Sequence, residues 1–203
     1  MPSAGPMSNQ VKPLAGKVAL ITGAGRGIGR GIALELGIRG ASIIVNYGRS
    51  ASSAESVVKE LEDLGTKAVA LQADISKPAE VVALSSSAQM AGVPNHALYA
   101  GSKAAVEGFT RAFAVDCGKK RITCNAIAPG GIQSDMFDEN SWHYVPGGYK
   151  GMSLDKIKEG LAKMCPLGRV GVPADIGKAV YCLVSDEGEW INGQVIRASG
   201  GGT

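Results

Sequence analysis

Tyr99 and Lys103 are the two residues whose types and spacing most directly promise chemistry. Four apart on a helix, they share a face. An ammonium one turn from a phenol favours the phenolate and lowers its pKa from about 10. Such a hydroxyl gives a proton to a carbonyl oxygen, or takes one from an alcohol, near neutral pH. By itself the spacing also fits an ordinary surface pair. Ser85, Ser86 and Ser87 stand just upstream, at what would be the end of a strand, where one hydroxyl can hold a substrate oxygen against the Tyr. Nearer the N-terminus, Thr22-Gly-Ala-Gly-Arg-Gly-Ile-Gly29 follows an apolar run and opens a helical pattern. Gly23 permits a tight turn, Gly27 lets backbone approach a pyrophosphate, and Gly29 lets helix and strand pack closely, so that the helix start, with Ile28, offers its N–H groups to phosphate.

The second strand should end beside the adenosine ribose of such a dinucleotide. A carboxylate there would bind both ribose hydroxyls and repel a 2′-phosphate. This chain has Asn46-Tyr47-Gly48-Arg49-Ser50 instead, with Arg26 in the glycine loop. Two guanidiniums and no acid favour NADPH over NADH; the plainer alternative leaves Arg49 a solvated loop charge. Asp74, ending a third strand, would sit by the adenine amino group, or simply lead into the next helix.

The elements that must carry these residues can be read from periodicity. Lys17–Thr22, Ser42–Asn46 and Ala68–Leu71 are short apolar runs, each fit for a buried parallel strand. Ile28, Ile32 and Leu36 mark one helix face, stopped by Gly40. Ser52 and Glu55 have capping-box spacing ahead of Val57, Val58, Leu61 and Leu64, and Gly65 closes that helix. A helix is expected from Ser76, with Pro78 in its first turn. A long Ala- and Gly-rich helix should run from about Tyr99 to Asp116, followed by a strand at Arg121–Ile127. Residues 133–151, with Trp142, Tyr144 and Tyr149, look like a lid or substrate loop. Ser153 and Pro173 begin two further helices, and Gly193–Arg197 is a last strand. Strand–helix alternation in this order means an α/β doubly wound parallel sheet, Rossmann-like, in a single domain.

Composition agrees and excludes much else. A 203-residue chain that is 45% apolar and 19% charged is globular and long enough for one full core. A net charge of +3 without a basic run gives no footprint for nucleic acid or a membrane surface. Cys117, Cys124, Cys165 and Cys182 form no C-x-x-C pair and lie near neither His96 nor His143, so free thiols and no metal are expected. Residues 1–13 read as a flexible tail without secretory-leader features, which makes the cytoplasm the expected compartment.

Together the glycine loop, Tyr99-Ala-Gly-Ser-Lys103 and the Ser-rich segment resemble the short-chain dehydrogenase/reductase family. PNHALYAGSKAAVEGF (94–109), NAIAPGGIQSDMFDENSWHYVPGGYKGM (125–152) and EWINGQVI (189–196) are similar to fungal polyhydroxynaphthalene reductases of melanin synthesis, with versicolorin reductases next. The resemblance implies that Tyr99 is the catalytic acid and that Lys103 holds the nicotinamide ribose and tunes it. It implies Ser85 as the substrate-orienting hydroxyl by the naphthol-reductase spacing, or Ser86 by the commoner one. Pro129, Gly130, Gly131, Ile132 and Ser134 would line the nicotinamide. Tyr144 would stack on an aromatic substrate, with Met136 and Trp142 nearby; lid packing is the alternative for these aromatics. The implied enzyme reduces a ketone of a polyhydroxylated aromatic polyketide with NADPH, in a cytoplasmic homo-oligomer that is a tetramer in the family. A 3-oxoacyl or sugar-alcohol reductase is the rival enzyme.

The chain departs from the family between Asp74 and Tyr99. Val81-Val-Ala-Leu84 leads straight into the Ser-rich segment, so the domain at 14–203 is internally shortened near 84/85. Two missing strand–helix units at ~30 residues each make ~60 absent residues, strands 4 and 5 of the family sheet. Strand 1 and the strand after Lys120 should each lose a neighbour. A chain so shortened could be a catalytically impaired form that only binds nucleotide or joins full-length subunits.

Overall fold

The computed structural model describes residues 12–72, 86, 93 and 95–202, the side chains of Asp135 and Met136 excepted. The elements are β1 (Val18–Ile21), α1 (Gly27–Ile38), β2 (Ser42–Tyr47), α2 (Ala51–Asp63), β3 (Ala68–Gln72), α3 (Ala97–Gly118), β4 (Ala126–Pro129), α4 (Asp135–Asn140), α5 (Leu154–Met164), α6 (Pro173–Val184) and β5 (Val195–Ala198), with 3₁₀ turns at Ser141–Tyr144 and Asp186–Gly188. The helix expected from Ser76 lies outside the described residues.

The strands form two parallel sheets, one of order β1-β2-β3 and one of β4-β5. Val18 pairs with Ser42, Ile43 with Ala68, and Ala126 with Val195. Among the described residues no strand lies between β3 and β4 in the chain, and β1 and β4 do not pair. The expected loss of two central strands therefore appears as a sheet split in two.

In-register pairs point the same way, so the first sheet has two distinct faces. Ile21, Ile43 and Val45 are buried on one, against Ile32, Ala33 and Leu36 of α1 and Val57 and Leu61 of α2. Each such large apolar side chain contributes roughly 1.5–3 kcal/mol when fully buried. The opposite face shows Val18 and Leu20 at 66% and 47% exposure, and Val69 and Leu71 at 55% and 47%. A doubly wound sheet has helices on both faces; here one face of its first half is largely uncovered.

What joins the halves is a close seam between α1 and α6. A methyl on Gly31 would fall 2.5 Å from Pro173 Cβ, and one on Gly177 would fall 2.7 Å from Glu35 Cβ and 3.0 Å from the Gly31 carbonyl. Only hydrogen at these positions lets the helix backbones approach so nearly. Ile176 of α6 is fully buried and belongs to the same core as α1, β2 and Ile127 of β4. The Arg39 guanidinium lies 3.9 Å from the Tyr181 ring centroid. Lys17 pairs with Asp186 at 2.8 Å, although both are well exposed and this pair adds little.

Local differences from the periodicity have clear causes. The cap of α2 is Ser50, whose Oγ accepts from the Ser53 N–H, rather than Ser52. The strand expected at 121–127 is confined to Ala126–Pro129. Arg121 takes a left-handed φ of 59°, and the approach to β4 is held by asparagine side chains. Asn192 Oδ1 accepts from the Cys124 N–H at 2.9 Å, and Asn125 donates to the Ile191 carbonyl at 2.7 Å. The last strand begins at Val195 for the same reason, since the Gln194 N–H bonds Asn125 Oδ1. No helix among the described residues is long and apolar enough to cross a membrane.

Gly31→Val should lower stability by about 1–3 kcal/mol through overpacking against Pro173. Gly108→Ala, with nothing within 4 Å of the added methyl, should be neutral or stabilising. Urea unfolding of the two variants beside the unaltered chain checks both.

Candidate active site

The glycine loop leaves β1 and is tied to the ends of its neighbours. The Ala24 N–H donates to the Asn46 carbonyl at 3.1 Å, and the buried Asn46 amide donates to the Leu71 carbonyl at 3.2 Å. Asn46 thus anchors the loop to the strand ends through both its backbone and its side chain. Gly23 and Gly27 both have left-handed φ, 62° and 57°, so a side chain at either would strain the turn. A methyl on Gly29 would fall 2.5 Å from the Gly23 carbonyl oxygen, which is the close strand–helix approach a phosphate loop needs. The first turn of α1 carries no acidic residue to compete with an anion. Arg30 is held away in an ion pair with Glu60 of α2. Arg26 and Arg49 are exposed, and Tyr47 is partly buried against the core. Positive φ, open backbone and a helix start free of acids fit a dinucleotide pyrophosphate.

The segment after β4 comes to the same place. A methyl on Gly27 would lie 3.7 Å from Ser134 Cβ, so the two loops face each other across a narrow gap. Gly130 packs on Ser199, where a methyl would fall 2.6 Å from its Cβ. The Gly131 carbonyl accepts from the Gly171 N–H, and the Gln133 N–H donates to the Gly171 carbonyl, both at 2.9 Å. Ile132 is buried between them. Arg169 grips both carboxylate oxygens of Asp175, at 2.7 and 2.9 Å, and Asp175 also accepts from the Val172 N–H. These bonds, the Arg169 guanidinium first, hold the Asp175 carboxyl at about 2. Behind this loop lies a cleft of about 160 Å³ lined by Ile132, Cys165, Arg169 and Gly200. Neither Tyr99 nor the aromatic lid borders it, so it is not where the acid chemistry would occur.

Tyr99 and Lys103 lie in the first two turns of α3, with the Lys103 ammonium 5.6 Å from the Tyr99 ring centroid. Both are half-buried. Burial lowers the Lys103 pKa from the ordinary lysine value. The lid folds onto this end of the helix. The Tyr144 hydroxyl is 3.1 Å from His96 Nε2, and the His96 ring meets Tyr99, His143 and Tyr144 edge-on at 6.1, 5.5 and 5.5 Å. Trp142 stacks on His143 at 3.6 Å. Burial, and then the neighbouring Tyr99, raise the Tyr144 pKa, which keeps its hydroxyl protonated near neutral pH. A weak acid beside an amine, with an aromatic wall over it, is equipped to bind a flat carbonyl compound and move a proton to its oxygen.

Of the residues expected from sequence, the structure brings Gly23, Gly27, Gly29 and Asn46 into one loop system, sets Ser134 against Gly27, and places Tyr99, Lys103, Trp142 and Tyr144 about one end of α3. Ser86 is half-buried. Asp74 and Ser85 lie outside the described residues, as does the Met136 side chain. His96, considered from sequence only as a possible metal ligand, also stands at this end of α3. Its place three residues before Tyr99, at the start of α3, was the available signal. Among the described residues no group of His, Cys, Asp or Glu could hold a metal ion.

This fold and loop arrangement has known counterparts. Residues 17–89 match the short chain dehydrogenase model, and residues 77–203 match that of the enoyl-(acyl carrier protein) reductases. The chain belongs to the short-chain dehydrogenase/reductase family. It is 58% identical over 263 aligned positions to the tetrahydroxynaphthalene reductase PfmaG of Pestalotiopsis fici, covering 97% of this chain and 95% of that one. It is 46% identical to the hydroxynaphthalene reductase-like protein Arp2 of Metarhizium anisopliae, over 94% and 96% of the two chains. An alignment of 263 positions against 203 residues leaves at least 60 positions without a residue here, in line with the two missing strand–helix units. Among solved structures it resembles a 7α-hydroxysteroid dehydrogenase complexed with NADH and a 7-oxo bile acid, at 28% identity and TM-score 0.79 over 97% and 98% of the chains. It also resembles the angucycline C-6 ketoreductase LanV with bound NADP, at 26% and 0.77 over 93% and 96%.

Asp175→Asn should cost about 1 kcal/mol at neutral pH by removing a charged cap and ion-pair partner. The folded carboxyl is held below its ordinary 3.8, so its contribution is full above that pH and fades as pH falls towards 2. Denaturation midpoints of the two proteins should therefore differ at pH 6 and converge in acid.

Proposed function

We propose that this protein is an NADPH-dependent reductase acting on a ketone of a polyhydroxylated, hydroxynaphthalene-type aromatic. The observation that carries the proposal is the gathering of Tyr99, Lys103 and the Trp142–Tyr144 lid about one end of α3. The glycine loop and the Pro129–Ser134 segment supply the dinucleotide's seat, with Gly23, Gly27, Ile28 and Gly29 at the pyrophosphate. Pro129, Gly130, Ile132 and Ser134 lie at the nicotinamide end. Arg26, Asn46 and Tyr47 stand at the adenosine end, with Asp74 at the adenine. NADPH, when bound, supplies the hydride that reaches the carbonyl carbon. Tyr99 gives its proton to the carbonyl oxygen. Lys103 holds the ribose. Ser85 orients the oxygen, and Met136, Trp142 and Tyr144 form the aromatic wall. Relatives named as hydroxynaphthalene reductases, and a neighbour named as an angucycline ketoreductase with bound NADP, support this substrate class over 3-oxoacyl or sugar-alcohol substrates. Exposed Leu98 and Val115 on α3 support assembly through that helix into a homo-oligomer, and the cytoplasm is the proposed compartment.

A second reading follows from the split sheet: a chain that keeps the nucleotide seat but turns over poorly, or acts by joining full-length subunits. Its support is the absence of at least 60 aligned positions and the uncovered face of β1–β3.

NADPH oxidation with 1-tetralone separates the two readings. The first expects turnover that Tyr99→Phe reduces by about 10²–10⁴-fold with NADPH affinity unchanged. Lys103→Met should weaken both. Saturable NADPH binding without turnover in the unaltered chain would favour the second.

A further inference from the structure

We propose that His96 is a positioning residue, whose ring holds the Tyr144 phenol and with it the Trp142–Tyr144 lid over Tyr99, so that it sets affinity for an aromatic ketone. The inference rests on the reading of this end of α3 as a ketone site and adds to it the part that ties the lid down.

His96 caps α3 at a backbone conformation outside the helix, three residues before Tyr99. Its side chain points at the lid rather than at the first N–H groups, since it makes no capping hydrogen bond. It is the ring on which three others converge: Tyr99 from its own helix, and His143 and Tyr144 from the 3₁₀ turn at Ser141–Tyr144. The sequence distance from His96 to Tyr144 is 48 residues, so the 3.1 Å bond is a tertiary tie. Tyr144 is half-buried and keeps its proton near neutral pH, so its hydroxyl can bond the imidazole in either tautomer of a neutral ring. The tie fixes the rotation of the Tyr144 ring, and a flat aromatic ligand stacks well only on a ring already in place. Losing it should cost binding of the aromatic compound and leave alone the dinucleotide seat, which is built from other elements.

The test uses the full chain with Trp190→Phe, which removes the 95%-exposed tryptophan and leaves Trp142 as the sole indole reporter in the lid. 1-Tetralone is titrated at saturating NADP⁺. His96→Phe, which keeps a ring but no hydrogen bond, should weaken tetralone binding by about tenfold, the worth of one such bond. His96→Gln, which restores a polar atom near Nε2, should stay within about twofold of the parent. Tyr144→Phe should match His96→Phe, and the double variant should be no weaker than either, as expected of one shared bond. NADP⁺ affinity should not move in any of them. Where turnover is measurable, His96→Phe should raise KM for the ketone and spare kcat. Unchanged tetralone binding in His96→Phe, or losses that multiply in the double variant, would overturn the inference while leaving the ketone site standing. A parent that holds NADP⁺ but no tetralone would overturn the ketone-site reading, and this inference with it.

Discussion

Two small parallel sheets that share no strand pairing among the described residues must be held in register by something else, and in this chain it is the contact between α1 and α6. Gly31 meets Pro173, and Gly177 meets both Glu35 and the Gly31 backbone, at distances where a single methyl would collide. Overpacking is costly and cannot be relieved cheaply when backbone lies on one side. Everything functional inherits from this seam. α1 begins at the glycine loop, and α6 begins just after Gly171, which holds the backbone on both sides of Ile132. The two helix starts therefore fix the distance between the glycine loop and the Pro129–Ser134 segment.

The cost of the arrangement is visible on the other side. In an intact doubly wound sheet β1 is central and covered on both faces. Among the described residues it is an edge strand, with Val18 and Leu20 open to water, and β3 shows Val69 and Leu71 on the same face. Open strand edges and apolar faces invite association. The tetrahydroxynaphthalene reductase of Pestalotiopsis fici aligns over at least 60 positions for which this chain has no residue. The glycine loop keeps its own supports through β2 and β3. Tyr99 and Lys103 rest on α3, whose buried residues are only Thr110 and Ala114. The glycine loop is thus the better supported of the two regions.

Much of this was legible in the sequence because it is local. Glycines in a strand–turn–helix setting announce a phosphate loop, and Tyr99 and Lys103 lie within one turn of each other. A shortened chain was also legible, since the helical pattern that begins at Ser76 stops after two turns without a closing glycine; the place of the interruption lies outside the described residues. What was not legible depends on distant partners. Asn125 and Asn192 replace strand pairing before β4, and nothing in the run Arg121–Ile127 announces that. The Gly31–Gly177 seam is invisible until the two helices are packed together. The bond between His96 and Tyr144 is likewise invisible, because the two stand 48 residues apart in the chain.

The most direct measurement is an experimental structure of this chain with NADP⁺ bound. The account predicts the pyrophosphate on the backbone N–H groups of Gly27–Gly29, with the nicotinamide ribose within hydrogen-bonding distance, about 3 Å, of Lys103 and Tyr99. A dinucleotide seated on the glycine loop with its nicotinamide turned away from Tyr99, or none retained at all, would contradict it.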